Sequence, residues 1–421
     1  MRSIPTPQQL AFLDWEVGAF FHFGIRSFFT GHKDWDNRPM PAEAFCPDQL
    51  DCGQWLRAAK AMGASYAIMT CKHHDGFANW PSKYTAYSVA ASPCGRDVVR
   101  EFTDACRENG LRVGLYYSPA QWGGEAACAD DKAYDDYFIG QLSELLTNYG
   151  PIDYLWLDGC GSEGRRYDAP RILSEIYRLQ PNLLIFGGVL GERTGVRWIG
   201  NEDGIAPLPN PCDSDEPAFS SLVESPLRNT HAFSPAECDM MLRDTWFDCE
   251  ENERTVKTPA ELFGHYELTV GRGSNLLINA GPNRHGLLNE ADVAAMTGLG
   301  EKIRRAYGAP LPYLPCVQTG EGRFCLPHGA LSGGDPRAVP LCNRLSLMEE
   351  LSQGQACRAF SLYGYLGRTQ NQRVLLYQGT TIGHKCICPF PAMRVSKFEV
   401  EIMESESPVR LRGMSAYYAE G

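Results

Sequence analysis

Between residues 15 and 308, short apolar runs alternate with longer amphipathic stretches, and few architectures accept that rhythm over so long a segment. It is the pattern of repeated βα units, in which parallel strands are covered by helices. Apolar runs at 18–24, 65–70, 112–118, 153–158, 183–188, 197–202, 237–242 and 274–280 read as strands, the seventh being the least regular. Eight is the number that a closed (β/α)8 barrel needs. Stretches at 54–62, 98–108, 134–149 and 171–179 carry apolar residues at helical spacing, and Gly63, Gly110 and Gly150 stand where helices end. The expected fold class is therefore α/β, a TIM-like (β/α)8 barrel over residues 1–310.

After Tyr307-Gly308-Ala309-Pro310-Leu311-Pro312 the helical spacing stops, and short runs such as 373–378 and 397–403 alternate instead. Residues 311–421 are expected to form a small β-sandwich domain. A hydrophobic content of 43% with 21% charged residues suits a chain that buries a sizeable core. The charge balance, 39 − 51 = −12, argues against nucleic acid or an anionic membrane as partner. No apolar run reaches the roughly 18 residues of a membrane span, and the first nine residues lack the apolar stretch of a secretory signal. A chain that begins natively at Met1 is thus expected in the cytoplasm. The 16 cysteines are scattered without a CxxC pair, which reads as reduced thiols.

In a (β/α)8 barrel the reactive side chains sit at the C-terminal ends of the strands, where the loops converge over a packed interior. The first strand ends in His22-Phe23-Gly24, and the second leads into Lys72-His73-His74-Asp75-Gly76-Phe77. The third ends in Tyr116-Tyr117-Ser118, the fourth in Trp156-Leu157-Asp158-Gly159, and the sixth in Trp198-Ile199-Gly200-Asn201-Glu202. Two carboxylates on different strands among imidazoles, indoles and phenols are what glycoside hydrolysis asks of a protein: one attacks the anomeric carbon, the other protonates the departing oxygen. Aromatic rings such as Trp156 offer flat faces to a sugar, and histidines offer hydrogen bonds to its hydroxyls. A metal-dependent hydrolase built on His73, His74 and Asp75 is the competing reading, weakened because neighbouring strand residues point to opposite sides. A sugar-binding protein without turnover is another.

Several runs resemble one family in the same order: Phe20-Phe21-His22-Phe23-Gly24, Thr70-Cys71-Lys72-His73-His74-Asp75-Gly76-Phe77, Trp80-Pro81-Ser82-Lys83-Tyr84-Thr85, Leu155-Trp156-Leu157-Asp158-Gly159 and Asn275-Leu276-Leu277-Ile278-Asn279. They are similar to the α-L-fucosidases of glycoside hydrolase family 29. The resemblance implies a retaining exo-α-L-fucosidase on a barrel followed by a β-sandwich, acting on fucosylated oligosaccharides without metal or organic cofactor. It implies Asp158 as nucleophile and His22, His73 and His74 as ligands of the fucose hydroxyls. Asp34-Trp35 falls where the family usually carries Glu-Trp against the sugar. The tyrosine near the nucleophile is Tyr116 or Tyr117, with strand phase favouring Tyr116. Arg197-Trp198-Ile199-Gly200-Asn201-Glu202 is similar to a segment of the subgroup that prefers α-1,3/1,4-linked fucose, which makes Glu202 the acid/base and Glu237, in Pro235-Ala236-Glu237-Cys238-Asp239, the reserve. An apolar wall is expected against the fucose methyl group, with Trp35 and Phe23 as candidates. In the final domain, Phe324, Tyr363 and Tyr365 are the aromatic residues to place, and buttressing the barrel is the role expected for the domain.

Overall fold

The computed structural model describes residues 3–29, 38–121, 130–162, 165–186, 190, 195–213, 233–329, 338–366 and 372–420. All eight expected barrel strands form: β1 Val17–Phe21, β2 Tyr66–Lys72, β3 Arg112–Tyr117, β4 Tyr154–Leu157, β5 Leu184–Phe186, β6 Arg197–Trp198, β7 Ala236–Met241 and β8 Ser274–Asn279. They pair in parallel in the order β5-β4-β3-β2-β1-β8-β7-β6. The remaining seam, between β5 and β6, is closed by one parallel bridge from Phe186 to Val196, where the Val196 N–H donates to the Ile185 carbonyl at 3.0 Å.

Alternation along each strand sorts the barrel into two cores. Phe20, Tyr66, Ile68, Tyr116, Tyr154, Trp156, Leu184, Phe186 and Leu277 point inward and pack together. Ala19, Phe21, Met69, Leu115, Tyr117, Leu155 and Ile278 point outward into the helical layer. So many rings fit inside only because some inward positions carry no side chain: a Cβ on Gly18 would lie 2.3 Å from the Tyr66 ring. The helix α1 (Pro7–Leu13) closes the bottom, where Phe12 packs on Tyr66 and Tyr154 and its carbonyl accepts from Asn275 at 2.7 Å.

The outer helices are α2 Cys52–Met62, α3 Val98–Asn109, α4 Asp131–Asn148, α5 Ala169–Leu179, α6 Pro259–Thr269 and α7 Glu290–Tyr307. Asp51, Asp97, Asp130 and Asp168 open α2 to α5, each side chain accepting a backbone N–H of the first turn. Gly63 and Gly110 close α2 and α3 in the left-handed conformation. Among the described residues, no helix follows β5 or β6; instead the chain after β6 runs down beside α6, where the Ala206 N–H donates to the Leu268 carbonyl at 3.1 Å.

Two antiparallel sheets form the C-terminal domain. One orders β13-β12-β15-β10-β9 (Gln372–Gly379, Cys357–Leu366, Lys397–Ser405, Arg323–Pro327, Val317–Gly320), the other β14-β11-β16 (Cys386–Arg394, Leu341–Glu349, Leu411–Tyr417). They enclose a core of Leu345, Leu347, Phe360, Leu362, Phe398 and Val400, so the expected sandwich forms. It docks low on the barrel: Arg344 pairs with Glu267 of α6 at 2.8 Å, Ile387 N–H donates to the Gly271 carbonyl before β8 at 2.9 Å, and Arg412 pairs with Asp14 before β1 at 2.8 Å. Phe324 is inside the sandwich core, while Tyr363 and Tyr365 lie under Arg373 and Lys397 on its sheet surface.

Candidate active site

The inward phase of β1 continues past its last residue, so His22 follows Phe20 into the barrel mouth with ring centroids 4.5 Å apart. Phe23, one residue on, is turned the other way and is buried against Phe45 and Trp55 of the outer layer. It therefore cannot line the mouth, and the expectation that it faces a substrate methyl group is corrected. On β2 the ladder to β3 slips between Thr70 and Lys72, the strand ends, and the Gly76 N–H closes a turn onto the His73 carbonyl. Strand alternation no longer applies there, which is how two adjacent histidines reach one place: the His73 and His74 rings are 4.2 Å apart.

Asp158 follows the last residue of β4 and is the carboxylate around which these groups gather. Its Oδ2 accepts from the Tyr116 hydroxyl at 2.6 Å and lies 3.5 Å from His74 Nε2, while Oδ1 accepts from the Cys160 N–H at 2.9 Å. The side chain remains 21% exposed, so one face is open to the mouth. Tyr116 stacks on His73, with centroids 5.7 Å apart. Tyr117 points outward, stacks on Phe138 and donates to Gln141 at 2.6 Å.

Two of the three histidines are held in one state by a neighbouring side chain. Asn279 donates its amide to the Trp246 carbonyl at 2.8 Å, so its oxygen faces His22 and accepts from Nδ1–H at 2.7 Å; His22 Nε2 is left as an acceptor. The Ser118 hydroxyl donates to the Ala120 carbonyl at 3.0 Å and accepts from His74 Nδ1–H at 2.6 Å. His73 Nδ1 is buried without a hydrogen-bond partner among the described residues. Burial lowers the pKa of all three, that of His22 to about 3, with Asn279 opposing; Asp158 partly offsets the effect at His74. Three neutral imidazoles around one carboxylate can hydrogen-bond hydroxyl groups without adding charge.

Asp75 turns away from the histidines: its carboxylate takes Arg26 Nε at 3.0 Å and the Phe77 N–H at 2.7 Å. Among the described residues, no group of three or more His, Cys, Asp or Glu is disposed to hold a metal ion. Trp156 lies below the mouth, its indole N–H donating to Glu237 at 3.1 Å and its faces stacked against Phe186 and Tyr116. It forms the floor, and its expected contact with the sugar is replaced by support from beneath. Asp34 and Trp35 lie outside the described residues.

The second carboxylate stands on different ground. The strand expected over 197–202 is only Arg197–Trp198, and the next residues form a turn in which Gly200, Glu202 and Gly204 have φ of 83°, 53° and 61°. Glu202 is exposed, and with Glu16 it is one of two non-glycine residues at positive φ among those described. Such backbone strain persists where the surroundings impose it, and it collects at functional sites. Glu237 is fully buried inside the barrel and takes Tyr66 at 2.5 Å, Tyr154 at 3.0 Å and Trp156 at 3.1 Å; burial raises its carboxyl to about 7, against the pull of those three donors. It has no face toward the mouth and serves as a structural acceptor.

Sequence reasoning singled out neither Trp246 nor Phe247, whose rings lie 4.9 Å from His22 and 5.1 Å from His73. The aromatic pair follows β7, the least regular of the eight runs, and its position after a strand end was the available signal. Ser118 and Asn279 were visible only as parts of motifs; their work of fixing imidazole tautomers needs coordinates.

Comparison with known proteins identifies the relatives of this chain. The Alpha-L-fucosidase family model matches residues 3–306. Alpha-L-fucosidase 1 of Arabidopsis thaliana is 35% identical over 317 residues, covering 71% of this chain and 60% of that protein. Human plasma alpha-L-fucosidase is 29% identical over 310 residues, covering 65% of this chain and 63% of its own. The chain thus spans about three-fifths of the length of these curated relatives. A crystal structure of a glycoside hydrolase 29 family member from an unknown rumen bacterium superposes with a TM-score of 0.87 at 30% identity, covering all of this chain and 78% of the other. Barrel, mouth and sequence together place the chain in the alpha-L-fucosidase family, glycoside hydrolase family 29.

Proposed function

We propose that the protein is a retaining exo-α-L-fucosidase that releases terminal fucose from α-1,3/1,4-fucosylated oligosaccharides. The observation that carries this reading is Asp158, open on one face, held by Tyr116 and the Cys160 N–H, and ringed by three neutral histidines. Its held orientation suits attack on an anomeric carbon, and the imidazoles suit the hydroxyls of one sugar ring. His22 Nε2 accepts from one hydroxyl, and His73 and His74 take others. Asp34 and Trp35 belong to the same proposed pocket. Trp246 and Phe247, beside His22 and His73, supply the apolar wall that a 6-deoxy sugar calls for.

In the first step an Asp158 oxygen bonds to the anomeric carbon as the glycosidic C–O bond breaks, and the leaving oxygen takes the proton of Glu202. The product is a covalent fucosyl-enzyme. In the second step Glu202 takes a proton from water, whose oxygen displaces Asp158 and yields α-L-fucose with its configuration kept. Placement of Glu202 on an exposed turn suits a group that meets the leaving glycan, and the Trp198-Ile199-Gly200-Asn201-Glu202 segment supports the α-1,3/1,4 preference.

The test is NMR observation of the first anomer of fucose released from an α-1,3/1,4-fucosylated oligosaccharide, alongside an α-1,2-fucosylated one and an aryl α-L-fucoside. The α-anomer, with the branched glycan cut fastest, is expected. Initial release of the β-anomer overturns the mechanism, and faster cleavage of the α-1,2 linkage overturns the linkage preference.

A further inference from the structure

Lys72, the last residue of β2, has no exposed surface. Its ladder partner is Tyr117, whose ring packs in the helical layer, and the Lys72 Nζ stands 4.5 Å from the centroid of that ring. An amine taken wholly out of water is costly unless it is bonded, so its acceptor matters. That acceptor is the Ala120 carbonyl, at 3.3 Å. Burial lowers the amine to about 7, with Asp75 opposing, and an amine donates to a carbonyl in its charged and neutral forms alike.

Lys72 thereby takes Ser118-Pro119-Ala120 at both ends. Its own carbonyl accepts from the Ser118 N–H at 2.9 Å, while its side chain reaches the Ala120 carbonyl. That carbonyl has two lone pairs and two donors, the Lys72 amine and the Ser118 hydroxyl at 3.0 Å. A serine hydroxyl carries one proton. Because it goes to Ala120, the Ser118 oxygen is left to accept from His74 Nδ1–H at 2.6 Å, and His74 Nε2, 3.5 Å from Asp158 Oδ2, stays unprotonated. From α4, the Tyr134 hydroxyl donates to the Pro119 carbonyl and the Tyr137 hydroxyl to the Gln121 side chain at 3.2 Å. The helix therefore grips the residues on either side of Ala120 and leaves the Ala120 carbonyl to Lys72 and Ser118.

We propose that Lys72 is a positioning residue for the nucleophile side of the mouth: by fixing the Ala120 carbonyl it sets the Ser118 hydroxyl, and through it the tautomer and the placement of His74 beside Asp158. This rests on the reading of Asp158 as nucleophile and His74 as a ligand of the sugar. Lys72 touches neither the sugar nor Asp158; it acts two hydrogen bonds away, from beneath. Without its donor the Ala120 carbonyl is released on one side, the Ser118 hydroxyl can turn its proton toward His74, and the imidazole loses its fixed acceptor nitrogen. A small displacement of a group that orients a reacting sugar is enough to lower the rate severalfold.

The test is a double-mutant cycle in kcat/KM between Lys72→Met, which keeps an unbranched stem and removes the donor, and Ser118→Ala, which removes the hydroxyl. Each is expected to lower kcat/KM about tenfold, alike on an aryl α-L-fucoside and on a fucosylated oligosaccharide, because neither acts on the leaving group. The double variant is expected to be no more than about twofold worse than the poorer single one, since both break the same chain of bonds. Losses that multiply overturn the proposal, as does a Lys72→Met enzyme with the parent's kinetics, whatever its Tm. Lys72→Leu, equally without a donor, enters the same cycle with the same outcomes where Lys72→Met does not fold. His74→Ala measured in parallel separates this inference from the reading of the site. An unchanged kcat/KM there means that His74 does not serve the sugar and the reading has failed, whereas a loss there with multiplying losses in the cycle refutes only the role of Lys72.

Discussion

The two sides of the barrel mouth are built in opposite ways. On the β1–β4 side the groups stand at or just beyond strand ends, nearly all buried, and three of them are held by a bond from a neighbouring strand or its end: His22 by Asn279, His74 by Ser118, Asp158 by Tyr116. On the β6–β7 side the strand is two residues long, no helix follows it among the described residues, and Glu202 rides an exposed turn at φ 53°. A nucleophile must be rigid toward one atom of one sugar, so strand ends suit it. A proton donor, the role proposed for Glu202, must meet leaving groups of varied shape, so a turn whose backbone is tied to β7 on both sides suits it. On the proposed roles, the rigid nucleophile and the group that meets the leaving glycan stand on different strands of one barrel.

That contrast is broken most severely from the rigid side. Asp158→Ala is expected to lower kcat by roughly 10⁴-fold or more on every substrate, because no other described carboxylate faces the ring of histidines. Retention of even a tenth of the activity would remove Asp158 from the nucleophile's role. Glu202→Ala sharpens the comparison, since its effect should depend on the leaving group: about 10²- to 10⁴-fold on an oligosaccharide, and far less on an activated aryl fucoside. Uniform loss across leaving groups would mean that the turn carries no proton donor. Tyr116→Phe is next in size. It removes one hydrogen bond to a charged oxygen, about 1.5–3 kcal/mol, and should lower kcat/KM roughly tenfold to a hundredfold while leaving the fold intact. An unchanged rate would show that the Cys160 N–H alone orients Asp158.

The same division explains how much could be read from the sequence. All eight strands were legible because apolar alternation is a local signal, and Asp158 and His22 followed from being next in phase after a strand. Phase also distinguished Tyr116 from Tyr117. It failed at Phe23 because the notion of an apolar wall was applied to a residue one step out of phase with His22. At His73 and His74 alternation was carried past the end of the strand, where a ladder slip and a turn had ended it. Glu202 was singled out through its motif, and the turn that carries it was not legible as a secondary-structure pattern, because it is set by tertiary bonds to β7. Glu237 drew attention because Pro235-Ala236-Glu237-Cys238-Asp239 resembles a family segment; only the packing of Tyr66, Tyr154 and Trp156 around it reveals a buried acceptor.

Glu237 offers the smallest of these effects, and it separates what holds the barrel from what performs the chemistry. Its carboxyl is raised from 4.5 to about 7 in the folded protein, mainly by burial. Between those values the folded state binds more protons than the unfolded one, so this group's contribution to stability is full below about pH 4.5 and is lost as pH rises through about 7. Asp239, raised to about 8, adds a loss of the same sign slightly further up the scale. Glu237→Gln abolishes the first contribution and keeps an acceptor for Trp156 and Tyr154. Thermal unfolding measured at pH 5 and pH 8 should therefore show a smaller drop in Tm for the variant than for the parent, by about 2 °C per kcal/mol of lost dependence. Activity should change less than about tenfold, because only the floor beneath Tyr116 is altered. Equal drops in Tm for the two proteins would show that Glu237 stays ionised within its three donors. A collapse of activity at unchanged Tm would make it part of the chemistry, and the separation of a rigid nucleophile side from a structural ridge on β7 would fail with it.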